Sequence, residues 1–351
     1  MRNMDRDEKL AQAEIATLVV IFVATVLGNG LVLLALWTRT RSYGPKKLSR
    51  MLFFILHLSM ADLIVAFFSV LPQLCWEITY RFKGGCFLCK VVKYCQTLGP
   101  YLSPYILMAT AVDRYQAICH PLTYWAWSSK RSSAMVYAAW IASLLCCVPQ
   151  LTIFSYIEVE PGVYDCWATF ATTWGEKAYV IWYATSVFIV PLTVLIYTYG
   201  CICREIWRCT DSKMSPRHSN ELKGAGLPLI SRAKINTVKQ TVAVIALYIL
   251  CSTPFIMAQL WATIDPTSSF LEGPVFTILG LLYSLNSCAN PWIYLSFNKE
   301  LSKLLLNHYL CRHKDDYVEA SDGPRLSNSS GEQITTVRNS QPSLGKFQDD
   351  Y

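Results

Sequence analysis

Seven long apolar windows recur along the chain, separated by shorter polar stretches: Ile15 to Trp37, Met51 to Cys75, Cys89 to Cys119, Met135 to Phe154, Tyr179 to Cys203, Val238 to Thr263 and Val275 to Phe297. About 20 apolar residues in a helix cross a hydrocarbon core of about 30 Å. A soluble protein buries one or two helices of this kind. Seven in one chain predict an all-α membrane protein built as a seven-transmembrane helix bundle. Past Phe297 the pattern changes. Asn298 to Leu310 sets leucines among Lys, Asn and His, which predicts a short amphipathic helix lying on the membrane. From Asp315 the chain is polar and rich in Ser and Thr, hence a disordered tail. The expected division is an outer N-terminus (1–14), the bundle (15–297), a surface helix (298–311) and a cytoplasmic tail (312–351).

Composition agrees: 53% of residues are hydrophobic and only 16% charged, too apolar for an ordinary soluble domain. The first window follows charges of both signs and lacks a small-residue cleavage pattern, so it is expected to anchor the chain and not to be removed. Basic residues sort by loop. Arg39, Arg41, Lys46, Lys47 and Arg50 follow the first window, Lys130 and Arg131 follow the third, and seven more lie between the fifth and sixth, from Arg204 to Lys234. The opposite loops hold Glu158, Glu160, Asp165, Glu176, Asp265 and Glu272. Basic loops face the cytoplasm. The N-terminus is therefore expected outside and the C-terminus inside. The net charge of +7 then reflects sidedness, and nucleic-acid binding is the weaker reading of it.

Most of the fourteen cysteines fall in the windows or on the inner side, where they serve as small apolar residues. Cys86, Cys89 and Cys166 fall in the outer loops. Either Cys86 or Cys89 can pair with Cys166, tying the loop after the fourth window to the top of the third. Cys311, after the surface helix, is either a palmitoylation site or a free thiol. The Asn328-Ser329-Ser330 sequon lies in the inner tail and should stay bare.

Polar residues inside a membrane are costly and ask for a role. Asn29 sits between Gly28 and Gly30, which predicts an interhelical hydrogen bond at a close contact. Asp62, near mid-membrane, must face the bundle interior. Ser103, Asn286 and Ser287 lie at comparable depth, and the four supply hard oxygen ligands for a small cation. The alternative is a protonated, hydrogen-bonded Asp62. Further out, Glu14 either meets a cationic ligand group or is a solvated acid at a helix start. Glu77 and Arg81, four apart, are expected to pair on a helical turn. Lys93 and Gln96, facing the bundle, suit a ligand rich in carbonyls and amides. No carboxylate stands at the level of Lys93, which argues against a small amine ligand.

Asp113-Arg114-Tyr115 ends the third window. The sixth window opens with Arg232, Lys234 and Lys239 and holds no acid. Any resting clamp on Arg114 is therefore expected from Asp113, a single-pair latch; the plain alternative is an arginine reaching for the interface. Pro100 and Pro104 are expected to kink the third helix. Pro149, Pro191, Pro254 and Pro291 do the same for the fourth to seventh, each costing a backbone hydrogen bond that neighbours must restore.

No nucleophile, base and orienter fall together among the outer polar residues, so catalysis is not expected. The seventh window lacks a lysine for retinal. A transporter or channel using Asp62 and Arg114 would show inverted repeats or broken helix pairs, and neither is found.

Together these residues resemble the rhodopsin-like G-protein-coupled receptors: Asn29, Leu58-Ser59-Met60-Ala61-Asp62, Cys89 with Cys166, Asp113-Arg114-Tyr115, Trp140, Pro191, Pro254 and Asn290-Pro291-Trp292-Ile293-Tyr294. A nearer resemblance is to the vasopressin/oxytocin receptors, on Leu71-Pro72-Gln73, Trp76 to Phe82, Lys93-Tyr94-Cys95-Gln96, Asp165-Cys166-Trp167-Ala168-Thr169-Phe170, Trp174-Gly175, Ser231 to Ile235, Gln259-Leu260-Trp261 and Asn286-Ser287-Cys288. The pattern is similar to an invertebrate member. The resemblance implies that Glu14, Gln73, Arg81, Lys93, Gln96, Gln150 and Gln259 line a pocket for a disulfide-ringed, amidated nonapeptide. It implies a Cys89–Cys166 disulfide and a sodium ion at Asp62, Ser103, Asn286 and Ser287, with no other cofactor. It implies an activation switch at Pro254, Asn290, Pro291 and Tyr294. The inner face, at Asp113, Arg114 and Tyr115, is then expected to meet a heterotrimeric G protein, and the tail to meet receptor kinases and arrestin. The implied place is the plasma membrane. Three departures bear on the switch: Ser252 stands where the family usually has tryptophan, and Pro100 and Pro104 are unusual in the third helix. Other amidated neuropeptides, of the cardioactive or gonadotropin-releasing type, are the alternative ligands.

Overall fold

A computed structural model describes residues 8–43, 49–126, 129–214, 232–265, 274–298, 301–303 and 305–306. Cys311, the tail sequon and most of the predicted surface helix lie outside the described residues. Within them stand seven helical rods. These are α1 (Glu8–Tyr43), α2 (Arg50–Val65, a π turn Ala66–Val70, then Leu71–Thr79), α3 (Gly85–Cys119) and α4 (Ser129–Cys146, with Pro149–Ile153 after a turn). Then come α5 (Gly175–Ala184, a π turn Thr185–Ile189, then Val190–Met214), α6 (Arg232–Ile264) and α7 (Pro274–Phe297). Five of the seven carry an 18-residue stretch apolar enough to be recognised as a span on hydropathy alone.

The rods outrun the apolar windows. α1 begins at Glu8 and runs to Tyr43, because helix continues into the headgroup zone where charges are solvated and hydropathy no longer reports it. α3 is the hub, packing against α2, α4 and α5, while α7 packs against α1 and α6. The core is drawn from all of these: Val32, Leu58, Tyr101, Leu102, Ile106, Leu107, Val187, Leu195, Tyr248 and Tyr294 are buried in one cluster. Large apolar side chains such as Val20, Leu27, Leu145, Ile196 and Leu250 point outward instead, as lipid requires.

Two close approaches fix the packing. A Cβ on Gly28 would meet the Pro291 ring at 3.0 Å, so glycine lets α1 lie against α7. A Cβ on Gly99 would stand 2.3 Å from the Val65 side chain and 3.2 Å from its backbone, so glycine sets the α2–α3 distance.

α3 runs helical through both Pro100 and Pro104. At Pro191 and Pro291 the carbonyl that the proline leaves unbonded, four residues earlier, finds a partner on another helix. Pro191 frees the Val187 carbonyl, and Tyr248 of α6 donates its hydroxyl there at 2.8 Å. Pro291 frees the Ser287 carbonyl, which accepts Asn29 Nδ2 of α1 at 3.1 Å. The hydrogen bond expected of Asn29 is thus an α1–α7 joint made at a proline. Pro149 frees the Leu145 carbonyl, which accepts the Val148 amide at 3.1 Å in the turn that breaks α4.

Among the described residues one antiparallel hairpin interrupts the helices. β1 (Phe154–Glu160) pairs with β2 (Val163–Ala168), Tyr156 opposite Cys166 and Ile157 opposite Asp165, and Gly162 turns between them at φ +75°.

Candidate functional site

The hairpin roofs the N-terminal end of α3. Cys166 of β2 is bonded to Cys89 with their Cα atoms 5.5 Å apart, and both are buried; Cys86 is exposed and unbonded. The choice left open by the residues alone therefore falls on Cys89. Next to it, Asp165 is buried. Its Oδ1 accepts the backbone amides of Phe82, at 3.1 Å, and of Cys166, at 2.8 Å. Its Oδ2 accepts Arg81 Nη1 at 3.5 Å.

Arg81 is therefore placed differently from the sequence expectation. The outer end of α2 stops at Thr79, and Tyr80 turns the chain at φ 62°. Arg81 thus lies beyond the helical turn that would have set it over Glu77. Its guanidinium goes to the hairpin, 3.5 Å from Asp165 and 3.9 Å from Glu160, and lies over the Tyr80 ring. Glu77 accepts a hydrogen bond from Gln73 Nε2 at 2.9 Å.

Lys93 joins three elements. Its ammonium lies 4.2 Å from the Trp76 ring of α2 and 5.3 Å from the Phe154 ring of β1. Both faces stabilise a cation drawn out of water. Gln150, fully buried in α4, donates to the Tyr179 hydroxyl of α5. Glu14, Gln96 and Gln259 are half-buried on α1, α3 and α6. Beneath lies a cluster that the sequence reading did not single out: Tyr101 is bonded to Ser186 at 3.1 Å, and its ring packs edge-on against Tyr105 and Tyr183. Tyrosines recurring near helical spacing on α3 and α5 were its visible signal.

At mid-depth Asp62 is fully buried. It accepts Ser103 Oγ at 3.2 Å and Asn290 Nδ2 at 2.9 Å. A cavity of about 30 Å³ lies alongside, lined by Ser103, Ser252, Tyr283, Asn286 and Ser287 among others. Ser59 Oγ, Ser252 Oγ, Asn286 Oδ1 and Asn290 Oδ1 are buried without a hydrogen-bond partner. The donor set is all oxygen and includes one carboxylate, which suits a small hard cation. The space exceeds the 10–15 Å³ or so that one water or small ion needs.

At the C-terminal end of α3 Arg114 donates to Asp113, whose carboxylate is fully buried and also accepts Ser132 Oγ at 3.3 Å and Tyr124 hydroxyl at 3.4 Å. Arg114 Nε is buried without a partner. Tyr115 bonds His120 at 3.1 Å and its ring tilts against Tyr197 of α5. Ser132 and Tyr124 are further holders of Asp113 that spacing could not reveal. Tyr294, one of the residues expected to form a switch, is buried with its hydroxyl unbonded, beside a second cavity of about 20 Å³ lined also by Thr110, Gln240 and Thr241.

A helix bundle with a disulfide-pinned hairpin, a buried polar centre and an Asp113–Arg114 pair at the far end of α3 has the parts of a membrane receptor. Comparison bears this out: residues 28–294 match the model of the 7 transmembrane receptor (rhodopsin family), and the chain belongs to that family. It is a multi-pass membrane receptor and not an enzyme. Within the family it is 41% identical over 342 residues to cephalotocin receptor 2 of Octopus vulgaris, covering 93% of this chain and 78% of the octopus protein. It is 39% identical over 350 residues to the annetocin receptor of Eisenia fetida, covering 85% of this chain and 82% of the worm protein.

Proposed function

We propose that this receptor answers a peptide of the vasopressin/oxytocin type and passes the signal to a heterotrimeric G protein. What carries the reading is its similarity, over most of its length, to two receptors named for cephalotocin and annetocin. The outer mouth is consistent with it. Gln73, Gln96 and Gln259 offer amide donors and acceptors, with Gln150 buried behind them on Tyr179; Arg81 and Lys93 offer cations for carbonyls, and Glu14 offers one acid. These groups recognise a peptide backbone and side-chain amides without a covalent step. In the proposed orientation the N-terminus is outside, Asp113, Arg114 and Tyr115 meet the G protein inside, and the Ser/Thr-rich tail meets receptor kinases and arrestin. Cys311 carries a palmitoyl chain into the membrane.

A sodium ion fits the centre and would be held by Asp62, Ser103, Asn286 and Ser287. When bound, it supplies positive charge that fixes α2, α3 and α7 in the resting arrangement, so that ligand affinity for the other arrangement decides the response. Pro254, Asn290, Pro291 and Tyr294 then form the moving part.

The test is calcium and cyclic-AMP signalling in cells expressing the chain, challenged with vasopressin/oxytocin-type nonapeptides and with unrelated amidated neuropeptides. A nanomolar-range response confined to the nonapeptides supports the reading, and the messenger that rises reports the coupling. A response only to a cardioactive or gonadotropin-releasing type peptide overturns the ligand and keeps the receptor.

A further inference from the structure

Asp165 holds its two oxygens to different tasks. Oδ1 takes both backbone amides, which fixes the hairpin to the α2–α3 loop. Oδ2 faces Arg81. The carboxylate is nearly buried, at 8% side-chain exposure, whereas the Arg81 side chain keeps 28%. A ligand arriving at the mouth thus meets a guanidinium whose counter-charge is already seated behind it. Glu160 adds a second acid, further off at 3.9 Å and more exposed at 36%. Lys93, seated on its two rings, also lies within electrostatic reach of Asp165.

We propose that Asp165 is a specificity-determining residue: its Oδ2 neutralises Arg81 at the mouth, so the receptor prefers peptides that present neutral amides and carbonyls over peptides that present a carboxylate. This rests on the peptide reading above. An uncompensated arginine binds carboxylates in a bidentate fork and gives a carbonyl no such advantage. Charge compensation removes that bias without removing the hydrogen-bond donors, and an exposed acid on the ligand would then be repelled by Asp165 and Glu160.

The two oxygens allow charge to be separated from structure. In Asp165→Asn the amide oxygen can keep both backbone bonds, while the group facing Arg81 loses its charge. The probes are an oxytocin-type amidated nonapeptide and the same peptide with one side-chain amide hydrolysed to the acid. The readout is the ratio of their potencies at matched surface expression. In Asp165→Asn the acid peptide gains on the amide peptide by about two- to fivefold, the scale of a partly exposed ion pair. Arg81→Gln moves the ratio the other way, and the double variant Arg81→Gln/Asp165→Asn returns it toward the starting value. Glu160→Gln moves it less than Asp165→Asn. If Asp165→Asn weakens both peptides equally, or leaves the ratio unchanged while the parent receptor responds, Asp165 is only a hairpin anchor and the proposal falls. Silence of the parent receptor to both peptides overturns the peptide reading itself, and this proposal with it.

Discussion

Replacing Asp113 with Asn should make the receptor signal without ligand. The Asp113 carboxylate is fully buried, the Arg114 side chain keeps 12% exposure, and the two form a charge-assisted pair. Such a bond is worth about 1.5–3 kcal/mol net, against about 0.5–1.5 kcal/mol for the neutral bond that an amide oxygen would keep. The difference, about 1–1.5 kcal/mol, belongs to the arrangement in which Arg114 is held back. It shifts the balance toward the released arrangement by about tenfold. A receptor active about 1% of the time would become active about 10% of the time. No acid on α6 can take over the clamp, since none occurs from Arg232 to Ile264. Ser132 and Tyr124 reach Asp113 at 3.3 and 3.4 Å, near the limit of a hydrogen bond, so Tyr124→Phe should raise basal output by only about two- to fivefold. The assay is ligand-free second-messenger output divided by receptor counted at the cell surface. Unchanged or lower output from Asp113→Asn at equal surface density would refute the latch.

Four further outcomes follow from the geometry. Tyr248→Phe strands the Val187 carbonyl that Pro191 left open, and should cost about 1–3 kcal/mol, read as a lower melting temperature of the detergent-solubilised receptor. Gly99→Ala forces a Cβ to 2.3 Å from Val65 and should cost about 1–3 kcal/mol by the same measurement; Val65→Ala in the same chain should recover much of it, and no recovery would mean the contact is not the cause. Agonist affinity should fall as sodium replaces a bulky organic cation in the buffer, and Asp62→Asn should abolish that dependence; an equal dependence in the variant would remove sodium from Asp62. Gln96→Ala and Gln259→Ala should each raise the agonist concentration needed by about fivefold or more with surface expression kept, whereas an unchanged dose response would take that residue out of the pocket.

The seven spans were legible because the bilayer imposes one length and one polarity on every crossing helix. Their ends were not, since Glu8, Lys9, Arg39 and Arg41 extend α1 through a zone where charge carries no penalty. The hairpin carried a readable signal, with Pro161-Gly162 between two runs of alternating β-formers, and it was overlooked beside the stronger hydropathy. Polar residues inside spans were readable as buried: Asp62 meets Ser103 as their depth suggests, and Asn29 makes the interhelical bond expected of it, with a partner helix, α7, that its flanking glycines do not name. Arg81 defeated the spacing rule because that rule holds only while the helix lasts, and α2 ends two residues sooner. Asp165 drew notice as one acid among several in the outer loops. Its task comes from a partner 84 positions away, which no local pattern encodes.

The distribution of unfinished hydrogen bonds separates frame from moving part. At Pro191 and Pro291 the freed carbonyls are met from α6 and α1, so these prolines act as fixed joints in the arrangement seen here. Among the described residues, single unpartnered buried oxygens occur on Asn29 of α1 and Tyr199 of α5, and a larger group lies on three helices: Ser59 on α2, Ser252 on α6, and Asn286, Asn290 and Tyr294 on α7. A buried polar atom left unmade costs about 1–3 kcal/mol, and sequence drift to apolar residues would remove that cost. Ser252 and Asn286 line one cavity and Tyr294 the other, so a modest shift of α6 and α7 can exchange one incomplete set of bonds for another of similar energy. That near-degeneracy is what a ligand of modest differential affinity needs in order to move the equilibrium. Ser252 fits this account. Where the family usually has a tryptophan to fill the space, this chain has a small hydroxyl facing a cavity. On the proposed function, the coupling between mouth and latch runs through the hydrogen-bonding groups around that space and not through the swing of one large ring.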